Sequence, residues 1–259
     1  MRGKTLFFYI LLSFMFSCSN LNNVKQVLPR NSFLKVDKAI QITFCNPQNP
    51  KQCITRQLGA TGSAVVVQNE KEGSYVLTAG HVCDNTELKN LIVKIKKVKY
   101  RFRVVDIKGR KYSIESFSIQ KSSDTCVMYV KGLNQPAATI SKTSPEPGDR
   151  VYNLAAPMGI FDVYMIPTFE GFYNGQAENK HIYSIPAKGG SSGSPIFNHR
   201  GEIVGMISMA FTHFSHLAIS PSREAIANHI SKTILSRQIT KKKLTLLNKL
   251  ILILSSKKP

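Results

Sequence analysis

The 259-residue chain has few acidic residues and lacks the motifs of nucleic-acid-binding and zinc-binding proteins, and each of these absences argues against one class of function. Acidic side chains are scarce: 15 Asp and Glu face 35 Lys and Arg, for a formal net charge of +20. Such a charge invites a nucleic-acid partner, but the basic residues are dispersed and do not interleave with aromatic residues as in nucleic-acid-reading modules. The chain contains no Cys-x-x-Cys pair, so it lacks the cysteine spacing that is typical of a zinc site. We therefore expect no specific nucleic-acid binding, no metal and no cofactor.

Length and residue pattern predict a single all-β unit. Without a leader and a tail, about 200 residues remain, which is enough for one large core. No internal repeat and no long low-complexity segment occurs. Short β-branched or aromatic runs alternate with turn residues, as half-buried strands do. These runs are residues 40–44, 64–67, 91–95, 102–105 and 127–130.

One helix is predicted near the end of this unit. Ser220 is the expected N-cap, Pro221 the first helical residue, and Glu224 lies in the first turn. The isoleucines at 226, 230 and 234 then share one face, which we expect to pack against the second barrel.

The N-terminus has the plan of a secretory leader. Arg2 and Lys4 precede an apolar run over residues 6–16 that is too short for a comfortable membrane span. The residues before Cys18 resemble a bacterial lipoprotein box, which would make 1–17 a signal peptide, Cys18 the lipidated residue and 18–36 a polar tether. Ordinary cleavage after Ser19 is the alternative. The expected location is a bacterial envelope as a membrane-anchored lipoprotein, or outside the cell as a secreted protein.

Four further cysteines favour an oxidising compartment. They are an even number, as expected of an exported domain held by disulfides, and they allow three pairings. Cys45 and Cys53 flank a loop rich in Pro and Asn and would close it locally. The other two are Cys83 and Cys126. The competing interpretation is that all four cysteines are buried free thiols.

Three short motifs, in the chain order His, Asp, Ser, suggest nucleophilic catalysis. His81 ends Thr-Ala-Gly-His after an apolar run, and Asp124 ends Ser-Ser-Asp just before another. Ser192 lies in Gly-Gly-Ser-Ser-Gly-Ser-Pro over residues 189–195. A serine hydroxyl needs a base to take its proton and fixed N–H donors for the developing oxyanion. Taken singly these are turn or cap residues, whereas together they predict a catalytic triad.

These motifs resemble the trypsin-like serine proteases, and most of all the short bacterial and phage peptidases related to the high-temperature-requirement proteases. Matching segments at 59–67, 147–157 and 201–206 extend the likeness over roughly residues 38 to 232. The resemblance implies two packed six-stranded antiparallel β-barrels, a chymotrypsin-like double barrel, with a C-terminal helix. It places the protease domain at 37–234.

The resemblance also implies a role for each site residue. Ser192 would be the nucleophile, His81 the general base and Asp124 the carboxylate that orients it. The amides of Gly190 and Ser192 would form the oxyanion hole. Ser191 replaces the aspartate of the digestive enzymes, so activation by an inserted N-terminus is not expected.

A specificity pocket and one disulfide follow from the same comparison. The pocket wall would lie at Ser208, Met209 and Ala210, and its base at residues 186–188, with no acidic residue among them. If the triad assembles, Cys83 and Cys126 face each other, and their bridge would join the strands that carry the base and its acid.

Residues 235–259 form a basic, leucine-rich tail. It is expected either to lie on an anionic membrane as a short amphipathic helix or to dock on the barrel. The predicted function is an exported serine endopeptidase that cuts protein or peptide substrates through an acyl-enzyme. The alternatives are a catalytically silent barrel that serves as a surface binding module, and a cationic membrane-active protein driven by the tail.

Overall fold

The computed structural model of the protein describes residues 28–46, 48–84, 95–211 and 214–255. The predicted signal peptide, Cys18, most of the tether and residues 91–94 of one predicted strand lie outside these ranges.

The first half of the chain forms an antiparallel sheet of seven strands. In chain order they are β1 (Phe33–Asn46), β2 (Asn49–Glu70), β3 (Gly73–Ala79), β4 (Ile95–Asp106), β5 (Lys111–Ser113), β6 (Ser116–Gln120) and β7 (Thr125–Lys131). Their order across the sheet is β5-β4-β1-β2-β3-β7-β6. β3 is buried along its whole length, and β7 is buried except at its last residue, so these two strands form the centre of the core.

The second half forms another antiparallel sheet of seven strands. They are β8 (Arg150–Leu154), β9 (Thr168–Ala177), β10 (Lys180–Tyr183), β11 (Pro195–Phe197), β12 (Ile203–Met206), β13 (Met209–Phe211) and β14 (Phe214–Pro221). Their order is β12-β11-β8-β9-β10-β14-β13. Each sheet curls into a half-barrel, and one buried cluster contains residues of both, such as Leu77 and Phe197.

The predicted double barrel is confirmed, but the predicted count of six strands in each barrel is wrong. Among the described residues, each sheet has a short edge strand of three residues, β5 in the first and β13 in the second. Both are mostly or wholly exposed and are held through ladder pairing with β4 and β14. Such short, exposed strands leave no apolar alternation that a sequence pattern can detect.

The main helix begins two residues later than predicted. A short helix, α1 (Gly80–Cys83), follows β3, and the long helix α2 covers Arg223–Ser255. Ser220 and Pro221 end β14, where they pair with β10. The cap is Ser222, whose Oγ accepts a hydrogen bond from the Ala225 amide at 3.1 Å.

The predicted inward face of α2 is confirmed, but the helix packs against β7 of the first half-barrel as well as β12 of the second. Ile226, Ile230 and Ile234 are 0%, 6% and 8% exposed and belong to the main core cluster. The tail from residue 235 continues the same helix instead of forming a separate one. Within the described ranges, no helix combines the length and the apolar character needed to cross a membrane.

Candidate active site

The pairing of β3 with β7 brings His81 and Asp124 together. The two strands are antiparallel, with Ala79 opposite Thr125, so the residues that follow β3 lie beside those that precede β7. Asp124 adopts the left-handed conformation (φ 46°) after a 3-10 turn. His81 Nδ1 lies 2.9 Å from Asp124 Oδ2, and the His81 amide donates to Oδ1 at 2.8 Å. The imidazole is therefore held at its Nδ1 side, and the carboxylate fixes both ring and backbone.

Three donors stabilise the Asp124 carboxylate as an anion. Burial alone would raise the pKa of Asp124, but hydrogen bonds from His81 and Ser208 outweigh it, and the pKa lies below its ordinary value. Ser208 Oγ donates to Oδ2 at 2.5 Å. The sequence placed Ser208 only in the specificity pocket, because no local signal reveals a contact between residues 84 positions apart.

In the loop before β11, two backbone amides donate no hydrogen bond to the described residues. The amides of Ser191, Gly193 and Ser194 donate to the carbonyls of Lys188, Ile207 and Ser191. Within the part of the chain that the structure describes, no hydrogen bond engages the amides of Gly190 or Ser192.

The peptide that joins Gly189 and Gly190 has a fixed orientation. The Gly189 carbonyl accepts a hydrogen bond from the Met158 amide at 2.6 Å. Carbonyl and N–H point in opposite directions in a planar trans peptide, so the Gly190 N–H is directed away from Met158. Gly190 has φ 96°, and a Cβ there would lie 2.4 Å from the Ala156 carbonyl oxygen. Only glycine fits this position.

Ser63 ties the nucleophile loop to the first sheet. Its amide donates to the Ser192 carbonyl at 2.8 Å, and its Oγ donates to the Gly190 carbonyl at 2.8 Å. The same Oγ accepts from the Ala156 amide at 2.9 Å. Because Ser63 is completely buried, these bonds form a dry junction between the two half-barrels.

The predicted triad residues line one cleft of about 1090 Å³, together with the predicted pocket wall. Ala187 and Lys188 of the predicted pocket base also line it, whereas Pro186 is not among its lining residues. The lining residues that the sequence had singled out are His81, Asp124, Ser192, Ser208, Met209 and Ala210.

Two disulfides resolve the pairing that the sequence left open. Cys45 bonds to Cys53, and Cys83 bonds to Cys126. The alternative of four free thiols is wrong. The second bridge joins α1, which carries His81, to β7 immediately after Asp124, so it braces the contact between the predicted base and its acid.

Metal ligands are not grouped in this structure. Over the described ranges, no three His, Cys, Asp or Glu side chains are placed together so that they could hold an ion.

Solved structures share the fold at low sequence identity. The chain is similar to the Rv3671c protease from M. tuberculosis in its active form, with 15% identity, a TM-score of 0.55, and coverage of 79% of this chain and 81% of that one. It is also similar to the serine endoprotease from Yersinia pestis, with 18% identity, a TM-score of 0.56, and coverage of 82% and 65%.

Sequence comparison identifies the family. No curated protein matches the chain. The family model described as a trypsin-like peptidase domain matches residues 62–206, which is more than half of the chain. The matched segment contains His81, Asp124 and Ser192, in the chain order that the motifs predicted. The chain therefore belongs to the trypsin-like peptidase family.

Proposed function

We propose that this protein is an exported serine endopeptidase that cuts peptide bonds through an acyl-enzyme on Ser192. The observation that carries the proposal is the hydrogen-bonded chain Ser208–Asp124–His81, which lines the same cleft as Ser192. Asp124 is held as an anion, and it holds His81 Nδ1 as a donor, so Nε2 is the basic nitrogen.

The proposed reaction has two stages, acylation of Ser192 and hydrolysis of the acyl-enzyme. His81 Nε2 takes the Ser192 hydroxyl proton while Oγ bonds to the substrate carbonyl carbon, and the carbonyl oxygen becomes an oxyanion. The unengaged amides of Gly190 and Ser192 receive that charge. The C–N bond then breaks, and the amine leaves with the proton from His81. Water hydrolyses the acyl-Ser192 ester by the same proton transfers in reverse.

Substrate side chains would enter the cleft beside the nucleophile. We assign Ser208, Met209 and Ala210 to the wall of the primary specificity pocket and Lys188 to its base, since all four line the cleft with Ser192. Ser208 would then have two contacts, one with Asp124 and one with the substrate.

A catalytically silent binding module is the less favoured function. It would not require a carboxylate with a lowered pKa on the imidazole, nor two unengaged amides beside a serine. A passive binding module has no use for these features, whereas nucleophilic catalysis uses all of them.

The first test is covalent labelling of the purified protein with a fluorophosphonate probe. We expect labelling of the wild type at Ser192 and none of Ser192→Ala. Ser191→Ala is the matched control: its side chain is buried in the same loop, and its loss should leave labelling intact. Absence of labelling in a folded, oxidised wild-type protein would contradict the proposed enzyme.

Export is supported by the leader-like residues 1–17 and by the two disulfides, which persist in oxidising compartments. We propose that Cys18 is lipidated and anchors the chain in a bacterial envelope. A fatty-acid analogue fed to expressing cells should label the wild type and not Cys18→Ala. A mature N-terminus at Asn20, found by N-terminal sequencing, would instead establish ordinary cleavage after Ser19.

A further inference from the structure

The first half of α2 is fixed to the protein body. His229 Nδ1 lies 2.7 Å from Thr125 Oγ1, and the Arg237 guanidinium lies 3.5 Å from the centroid of the Tyr129 ring. Lys241 Nζ contacts Glu70 at 3.1 Å. Lys241 is the last residue of α2 with a described contact to the body.

Beyond Lys241 the helix continues with apolar side chains in solvent. Leu244, Leu246 and Leu247 are 57%, 58% and 53% exposed. Leu235 and Ile239 are also exposed, and their spacing places them on the same helix face as Leu246. From Lys241 to Ser255 the helix extends by about 20 Å at its usual rise per residue. Leu235, Ile239 and Leu246 thus form one narrow apolar row in solvent, whereas Leu244 and Leu247 lie on other faces of the helix.

The charge of the helix favours an anionic partner. From Ala225 to Pro259 the sequence contains no Asp or Glu. Its basic residues are Lys232, Arg237, Lys241, Lys242, Lys243, Lys249, Lys257 and Lys258. Pairing with a second copy would bring these like charges together, without acidic residues on the helix to compensate them. An anionic lipid surface offers both complementary charge and an apolar layer for the leucines.

We propose that residues 235–255, the tail helix, bind in the interface of an anionic phospholipid bilayer. Leu235, Ile239 and Leu246 face the acyl chains. Lys242 and Lys249, which the same spacing places beside them, extend their ammonium groups to the phosphate groups. This binding is independent of proteolysis, so the two proposals can fail separately.

The absence of tryptophan from the chain permits a direct test. Leu246→Trp introduces a single indole at an exposed position. The full chain carries Ser192→Ala to prevent autolysis and Cys18→Ser to exclude a lipid at residue 18. With vesicles that contain phosphatidylglycerol, we expect a blue shift of the emission and co-sedimentation. Pure phosphatidylcholine vesicles should give neither, and high salt should reverse binding.

Two variants and two controls separate the contributions. Leu235→Asn with Ile239→Asn should weaken binding at least about tenfold, because both residues face the acyl chains. Lys242→Gln with Lys249→Gln should do the same through lost charge. The matched controls are Ile54→Asn with Leu58→Asn, which are equally exposed on β2, and Lys99→Gln with Arg101→Gln, which remove the same charge from β4. Neither control should change binding.

Three outcomes would overturn the proposal. Equal binding to both vesicle types would show that the surface is not selective for anionic lipid. A concentration-dependent blue shift without vesicles, with a dimer in analytical ultracentrifugation, would assign the tail helix to a second copy. Equal effects of test and control variants would show that net charge or the N-terminal region drives binding.

Discussion

Ser208 donates to the same Asp124 oxygen that faces His81 Nδ1, so it is a positioning residue for the proposed base. Ser208→Ala should lower kcat/KM roughly tenfold, about 1.4 kcal/mol, because one charge-assisted hydrogen bond is lost. It should also raise the pKa of Asp124 towards its ordinary value, since this hydrogen bond helps to lower it. Both can be measured, by kinetics and by NMR of a labelled carboxyl group.

Ser215→Ala is the control for this prediction, since Ser215 lines the same cleft, with no described side-chain contact to Asp124. If the control shifts the pKa equally, a general change in the cleft explains the effect and Ser208 does not position the carboxylate.

Gly190 and Gly189 offer a matched pair for the oxyanion hole. Gly190→Ala should reduce labelling and turnover by about 10²- to 10³-fold, because its Cβ would clash with Ala156 and displace the proposed donor. A Cβ at Gly189 meets nothing within 4 Å, so Gly189→Ala should be nearly silent. Rates of fluorophosphonate labelling measure the difference, and equal losses would argue against the Gly190 donor.

At the residue scale, the sequence indicated most of the site but not its full contacts. His81, Asp124 and Ser192 each occur in a recognisable local motif. Ser63 and the second contact of Ser208 carry no such motif, because their partners are distant in the chain and are brought close only by the packed sheets.

At the scale of elements, the two disulfides should differ in their effect on stability. Cys83 and Cys126 are 43 positions apart, and Cys45 and Cys53 are 8 apart. From the closed-loop entropy, replacing both members by Ala should cost about 4 kcal/mol for the first pair and about 2.5 kcal/mol for the second. Urea unfolding checks this order. Only replacement of Cys83 and Cys126 should also slow labelling of Ser192, because this disulfide braces α1 against β7.

The turn between β4 and β5 is organised by the buried Asp106. Its carboxylate accepts from the amides of Lys108 and Arg110 and from the side chains of Arg110, Tyr112 and Gln135. Burial raises the pKa of Asp106, but the hydrogen bonds to Arg110 outweigh it, and the pKa lies below the ordinary 3.8.

This lowered pKa predicts a loss of stability in acid. A carboxyl with a lower pKa in the folded state stabilises it fully well above pH 3.8, and the contribution is lost as the pH falls below that value. Asp106→Asn should lower the free energy of unfolding at pH 7 by about 3 kcal/mol. It should also flatten the fall in stability between about pH 5 and pH 2, as measured by urea unfolding. An unchanged acid profile would contradict this role.

Element boundaries show where sequence patterns stop being informative. The inward face of α2 was predicted correctly from three isoleucines, but its start was not, because Ser-Pro is as compatible with a strand end as with a helix cap. Ladder pairing of Pro221 with Lys180 decides between them. Likewise, β5 and β13 form strands because of their ladder pairing with β4 and β14 and not because of their own residue pattern.

At the scale of the whole molecule, Ser63 joins the two half-barrels. Ser63→Ala leaves the Ala156 amide without its acceptor and removes a donor from the Gly190 carbonyl, so it should destabilise the fold by about 2 kcal/mol and slow labelling of Ser192. Ser74→Ala removes an equally buried hydroxyl whose bonds stay within the first half-barrel. It should cost similar stability and leave labelling intact. Slowed labelling in both would indicate that stability alone limits the rate.

The division of the site between the sheets has a consequence for the life of the protein. The proposed base and acid lie in the first half of the chain and the nucleophile lies in the second, so neither half alone contains a working centre. A nascent or partly unfolded chain thus carries a serine without its base. We therefore expect the proposed activity to arise only when folding is complete, so that an unfolded chain would not expose a cell to it during synthesis.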